Sequence, residues 1–346
     1  MRYSLLSRFQ GVLLGAALGE ELGSYFWKQK LQQRRSFPAK HSAEMGHIDL
    51  FTWHPGSDRE EVSLSQSMPS GWGKVALYLT EKLILKGGWQ GLDLEQIGLP
   101  ALTDGKEATF VASPGVTGAD LAIATLPVAL FFHDNEFKRR QALEEVASQF
   151  KAKPGAWQEA WAFTGAIAAA LKEQLSPRHL IPQIVTQLQS DEFSREDTLH
   201  DFISKLEQTQ TLLQEGRDLG AARVSLLSSQ QVGSSSEMIC LALYCSLSTP
   251  EDFRLALIRA ARSGNAPQVC GLTGALMGAY NSWVGIPLVW RMADAHYSSQ
   301  QVGGVSGAKI EQLATRLLAV WSGVYNSVDF PEQVPAIAAP GVIRLS

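Results

Sequence analysis

The sequence contains no apolar run long enough to cross a bilayer. Its two best are GVLLGAALG from Gly11 and LAIATLPVALFF from Leu121, the latter 12 residues long and interrupted by Pro127. A spanning helix needs about 20. Arg2 and Arg8 precede the first run in the manner of a secretion signal. However, the run is short, meets Glu20-Glu21 at once, and carries four spaced glycines, which suit an export segment poorly. The expectation is a cytoplasmic protein that does not engage membranes. Cysteine is scarce as well. Cys240, Cys245 and Cys270 all lie in apolar helical contexts. An odd number with no spaced framework points to buried thiols in a reducing compartment. A nucleophile elbow, a phosphate-binding loop, a dinucleotide glycine fingerprint and a paired CxxC are all missing. Positive charge is not in excess either. A formal net charge of -4 and a pI near 6.0 provide no global attraction to nucleic acid.

What is present is helix. The chain has 346 residues, 45% of them hydrophobic, which suffices for a sizeable core. Apolar positions recur at three and four residues with no persuasive strand alternation, so the expected fold class is all-α. Helices are predicted at 6–22, 74–86, 121–132, 136–152, 157–173, 201–214, 238–246, 250–262 and 268–283. The start at Thr249-Pro250-Glu251-Asp252 combines a capping threonine, a first-turn proline and acids that suit the helix dipole. The region 175–216 reads as helical and charged, with Leu206, Leu212 and Leu213 facing inward. Irregular loops are expected near 41–69, which lacks a period, and 228–236, whose SSQQVGSSS composition is that of a connection.

Two segments share an uncommon pattern. Near the N-terminus, Gly11, Gly15, Gly19 and Gly23 repeat every four residues and so lie near one stripe of a helix. Toward the C-terminus, RSGNAPQVCGLTGALMGAYNSWVGIP carries Gly271, Gly274 and Gly278 with Ala275 and Ala279. Each helical glycine costs about 1 kcal/mol relative to alanine, which close backbone approach by another element would offset. A third small-residue helix, AFTGAIAAAL, suggests a tightly packed central bundle.

In order and spacing, these segments resemble the ADP-ribosylglycohydrolases, all-helical enzymes that remove ADP-ribose from modified side chains or related molecules. The family's opening motif is approximately G-ALLG-A-GDALG, matched here from Gly11 to Gly23. Its closing motif is approximately GGDTDT, an AGALAGAYYG helix and a G-I-P turn; the helix, Ala279-Tyr280 and Gly285-Ile286-Pro287 are kept. A weaker middle correspondence places SGWGKVALYLTEKLIL on a T-D-D-T element and its helix, and GVTGADLAIATLPVAL on a glycine-rich turn that keeps Gly118 and Pro127. Because the motifs at the two ends would have to meet in space, the resemblance implies a single domain over 1–346, a multi-helix orthogonal bundle.

The acids of that family are missing from those motifs. Ser70, Gly71, Trp72 and Gly73 stand in its middle acidic element; Asn265 and Pro267 stand where it places two aspartates, and Gln268 where it places threonine. The resemblance implies catalysis by two divalent cations beside the ribose. Hard cations need several oxygen ligands, mostly carboxylate. Glycine, tryptophan and proline provide none, so the Mg²⁺ pair is expected to be lost, leaving no metal and no cofactor. By family position the ligand pocket is Ser70, Gly71, Trp72, Gly118, Asn265, Pro267 and Gln268.

Other residues invite a chemical reading. Glu20 and Glu21 are the only acids kept at a motif position; they either face the old pocket or end a helix in water. His133-Asp134 reads as a solvated helix end, and Asp58, Glu60 and Glu61 as a solvated charge run. Tyr25 to Arg35, YFWKQKLQQRR, could stack bases and neutralise phosphates, but reads better as an amphipathic continuation of the first helix. The expected function is a catalytically inactive relative that binds a partner protein or an ADP-ribose-like nucleotide. The alternatives are a hydrolase with an unusual ligand set, drawn from Glu20, Glu21 and the 58–61 loop, and a nucleic-acid contact through 25–35.

Overall fold

The structure, a computed structural model, describes residues 2–36, 53, 72–89, 115–190, 197–227, 233–264, 266–291 and 307–323. Among these there are helices and turns but no strand. The fold is all-α. In chain order the helices are α1 (Leu5–Ser36), α2 (Trp72–Lys86), α3 (Gly118–Ala124), α4 (Leu126–Phe131), α5 (Glu136–Gln149), α6 (Ala156–Leu171) and α7 (Leu180–Leu188). They continue with α8 (Asp197–Gln214), α9 (Leu219–Leu226), α10 (Ser235–Ser248), α11 (Phe253–Arg262), α12 (Ala266–Gly285), α13 (Leu288–Arg291) and α14 (Gly307–Trp321). No helix among the described residues is long and apolar enough to cross a membrane.

The two glycine segments find each other. α1 makes its largest interface with α12, and the helices run antiparallel in a strict register. Gly11 faces Gly278, Gly15 faces Gly274, Gly19 faces Cys270 and Gly23 faces Ala266. Each facing pair brings a backbone carbonyl onto a glycine Cα, and at Gly15–Gly274 and Gly11–Gly278 the relation is reciprocal. Ridges at four-residue spacing on both helices interdigitate, and Cα–H groups lie against carbonyl oxygens. Around this pair one continuous core gathers Phe9, Leu18, Leu22, Leu83, Ile123, Trp161, Phe163, Phe202, Tyr244 and Phe253, all essentially inaccessible to solvent.

Several expected boundaries move, each for a local reason. The first helix does not end at Leu22 but runs to Ser36, because 28–35 is built of good helix formers and Tyr25 and Phe26 pack on the core. The helix expected over 121–132 is two. Thr125 separates α3 from α4, and Pro127 in the first turn of α4 cannot donate the hydrogen bond a continuous helix requires. Thr249 does not start α11: its Oγ1 donates to Cys245 O at the end of α10, while Asp252 caps α11 by accepting from Leu255 N. The loop expected at 228–236 ends early. Ser234 and Glu237 form a capping box, and α10 begins at Ser235. Of the 41–69 loop only Trp53 lies among the described residues; its carbonyl accepts from Trp290 Nε1 at 3.1 Å. The 175–216 region resolves into α7 and α8, with Leu206 and Leu212 buried and Leu213 half-buried.

Three non-glycine residues among those described, Lys151, Glu173 and Ser282, have a positive φ, the region that favours glycine, and of these Ser282 is buried. Ser282, wholly buried near the end of α12, has φ 61° and ψ 179°, a region that costs a side chain about 1–3 kcal/mol. Its Oγ recovers part of this by accepting from Val284 N at 3.3 Å. Ser282→Gly is expected to stabilise the protein by about 1 kcal/mol, read as a higher urea midpoint at unchanged slope. An unchanged or lower midpoint would show that the hydroxyl bond outweighs the strain.

Candidate functional site

The family-position residues lie where several helix starts converge. Gly118, first residue of α3, is overlain by the Glu159 side chain of α6, and a Cβ on it would stand 2.9 Å from Ala156 O. Ala119 N donates to Ser235 Oγ at the start of α10, at 2.6 Å. On the other side, a Cβ on Gly73 of α2 would lie 3.2 Å from Glu20 Cδ. A Cβ on Gly271 of α12 would lie 2.8 Å from Glu20 Cγ and 3.4 Å from Ile123 of α3. Glu20 therefore sits where α1, α2, α3 and α12 meet, and the glycines at 73 and 271 make room for it.

This corrects one reading of Glu20 and Glu21. They do not end a helix in water; α1 passes straight through them. Part of Glu20's surface stays accessible, but Oε1 is sealed from solvent and has no hydrogen-bond partner among the described residues. The Gly73 backbone N–H donates to the carboxyl. Burial pushes the Glu20 carboxyl up to about 8, and the Asp120 carboxylate adds to the effect; the Gly73 N–H and Lys74 oppose it. At neutral pH Glu20 is largely an uncharged acid. Glu21 is half-buried on the same turn.

Two further acids belong here that sequence reasoning passed over. Asp120 completes a capping box with Thr117, accepting from its backbone N–H and hydroxyl at 3.3 and 2.7 Å. Burial raises its carboxyl while those two bonds pull it down. The Thr117-x-x-Asp120 spacing was readable as a helix start. Glu159 accepts from Ser236 Oγ, and burial raises it too, against the Ser235 and Ser236 hydrogen bonds. No sequence signal distinguishes Glu159 from other helical glutamates.

At two of the positions assigned by resemblance, Trp72 and Pro267, buried side chains fill the space. Trp72, first residue of α2, is buried with its ring 6.3 Å from that of Phe150 at the end of α5. Pro267 is buried in the first turn of α12, its Cα 2.6 Å from where a Cβ on Gly23 would stand. Gln268 is half-buried. Ser70, Gly71, Asn265, Asp58, Glu60 and Glu61 lie outside the described residues. A pair of Mg²⁺ ions does not fit what is described. Trp72 and Pro267 have no side-chain ligand atom, and the described residues hold no group of three or more His, Cys, Asp or Glu placed to bind a metal.

The remaining candidates are elsewhere. His133 is not solvated. It is buried between Phe9 and Trp321, with Nδ1 2.8 Å from Leu130 O, and burial lowers its pKa; Asp134 is exposed. At 1.5 Å per residue, Phe9 is roughly 16 Å from Glu20 along α1. Segment 25–35 is helix, with Lys28 and Lys30 half-buried. The three cysteines are buried free thiols, and burial raises each of their pKa values. A surface groove between α8 and α9, lined by Gln208, Thr211, Arg217 and Val224, includes none of the family-position residues.

Comparison with known proteins agrees with this fold. A solved structure described as an ADP-ribosylglycohydrolase-related protein complex is similar at a TM-score of 0.53 and 15% identity, covering 92% of this chain and 99% of that one. At that identity it speaks for the fold alone. No curated protein matches the chain in sequence. The family model for ADP-ribosylglycohydrolase matches residues 1–327, nearly the whole length, and the chain belongs to the ADP-ribosylglycohydrolase family.

Proposed function

We propose that this protein is a binding member of its family rather than a metal-dependent hydrolase: a single cytoplasmic domain whose cleft takes an ADP-ribose-like nucleotide or a partner protein. The observation that carries the reading is the state of Glu20. Of the two acids kept at a motif position, Glu20 has one oxygen sealed from solvent with no hydrogen-bond partner among the described residues, accepts from the Gly73 N–H, and is pushed toward the uncharged acid by burial. A carboxyl in that state hydrogen-bonds a ligand hydroxyl. Trp72 and Pro267, both buried, support the same reading.

Calorimetric titration with ADP-ribose, with Mg²⁺ and with chelator, tests it. Binding of equal strength in both is the expected result for a nucleotide reader. Binding only with Mg²⁺ would overturn the proposal and favour a hydrolase with other ligands, whose signature is metal-dependent ADP-ribose release abolished by Glu20→Ala. No binding in either leaves the partner-protein arm. A variant with carboxylates at Gly71, Trp72, Asn265 and Pro267 checks the premise: wild type hydrolysing ADP-ribosylated substrate as fast as that variant would refute it.

A further inference from the structure

Arg139 is the most conspicuous charged group that the fold leaves unused. It lies on α5 facing α6 and is only 4% exposed. Its guanidinium makes no hydrogen bond and no ion pair with the described residues, and Nε is sealed from solvent. Its neighbours are the Trp161 ring, 6.0 Å from the guanidinium carbon, and the backbone of Gly165 one turn further along α6. A buried guanidinium needs acceptors for its five N–H groups, and desolvating it uncompensated is costly. The other buried arginine meets that need in the ordinary way: Arg8 donates to Ala170 O and pairs with Glu173.

Space for an acceptor exists beside Arg139. A Cβ placed on Gly165 would meet one heavy atom within 4 Å, Arg139 Nη2 at 3.6 Å. Elsewhere on the packed helices of this protein a glycine Cβ strikes backbone or side chain at once, as at Gly15, Gly118 and Gly274. Gly165 is only half-buried, so its accessible face lies beside the guanidinium. The charged groups around Arg139 are of both signs. From α4 and its following turn, His133 and Asp134 face this region; from α5, Glu136 lies one turn before Arg139; from the end of α6 comes Lys172. Glu136 offsets Arg139 through space, yet none of these carboxylates bonds it.

We propose that the notch between α5 and α6 is a binding site for one small oxyanion group, a carboxylate or a phosphate, gripped by Arg139 over Gly165. The planar fork of a guanidinium matches two oxygens of either group, and the glycine leaves room for it. The Trp161 ring gives the cation a π face. This site is separate from the cleft at Glu20 and stands whether or not that cleft binds a nucleotide.

The test is thermal unfolding of the full chain titrated with inorganic phosphate and, separately, acetate, at constant ionic strength in chloride. Wild type is expected to gain several degrees with a saturable dependence, half-complete below about 10 mM by the mass-action relation. Arg139→Met is expected to unfold at the same or a higher temperature without anion and to lose the gain. Gly165→Leu, which keeps the cation and fills the notch, is expected to lose it too. A stronger response to phosphate assigns a phosphorylated ligand; a stronger response to acetate assigns a carboxylate. Equal gains in wild type and both variants, or no saturable gain from either anion, would overturn the proposal. If Arg139→Met fails to fold, Gly165→Leu alone decides it.

Discussion

Gly274→Ala is expected to prevent this chain from folding. A methyl there would land inside the carbonyl of Gly15, with the Gly15 carbonyl carbon at 2.7 Å. Neither partner can yield locally, because both atoms are helix backbone. α1 and α12 would have to separate, which would loosen the three neighbouring glycine contacts along the same register. Ordinary overpacking costs about 1–3 kcal/mol, and here the clash spreads along the largest interface of the fold. The expected loss exceeds about 4 kcal/mol, a large part of the 5–15 kcal/mol by which domains are stable. The readout is soluble yield and, where protein is recovered, urea unfolding. Gly165→Ala is the control: its methyl meets only Arg139 Nη2 at an ordinary 3.6 Å, so the change should stabilise by up to about 1 kcal/mol through helix propensity. Similar behaviour of the two variants would mean that the α1–α12 contact is not as close as described.

Glu20→Gln is expected to abolish a loss of stability at alkaline pH. The carboxyl is raised in the folded protein, from an ordinary 4.5 to about 8, chiefly by burial. Between those values the folded state holds a proton that the unfolded state has released. Stability is therefore fully present below about pH 4.5 and is lost as pH rises through about 8. The full shift at 1.36 kcal/mol per unit overstates the effect, because part of the residue remains in water; roughly 2–4 kcal/mol is expected. Asp120 and Glu159, raised in the same direction, and His133, whose lowered pKa weakens the fold as pH falls below its ordinary 6.5, titrate in both proteins. The difference between wild type and Glu20→Gln thus isolates one group. The two should coincide near pH 4.5, with the variant increasingly more stable toward pH 8.5. A difference that does not change with pH would show that Glu20 carries its charge in the fold, and the binding proposal would lose its main support.

The all-helical class, the burial of the cysteines and the importance of the two glycine stripes were all legible in the sequence. Periodicity and residue size are local properties, and a glycine every four residues has few explanations other than a close neighbour. That tryptophan and proline carry no side-chain ligand atom was legible for the same reason, since it holds in any environment. What the stripes face was not legible. The pairing of Gly15 with Gly274 depends on two helices meeting from opposite ends of the chain, and only the assembled fold sets that register. The state of Glu20 was likewise hidden: beside Glu21 it resembles a solvated helix end, and its burial comes from α2, α3 and α12 closing over it. His133 reversed its expected environment because α1 and α14 contribute Phe9 and Trp321 around it. Arg139 looks like any surface arginine of a charged helix, in the run KRRQALEE; whether it meets a carboxylate, water or an open notch depends on α6. Local chemistry is written in the residues, whereas desolvation and the identity of a neighbour are long-range consequences of packing, and those two quantities decide the charge on Glu20 and the unmet need of Arg139.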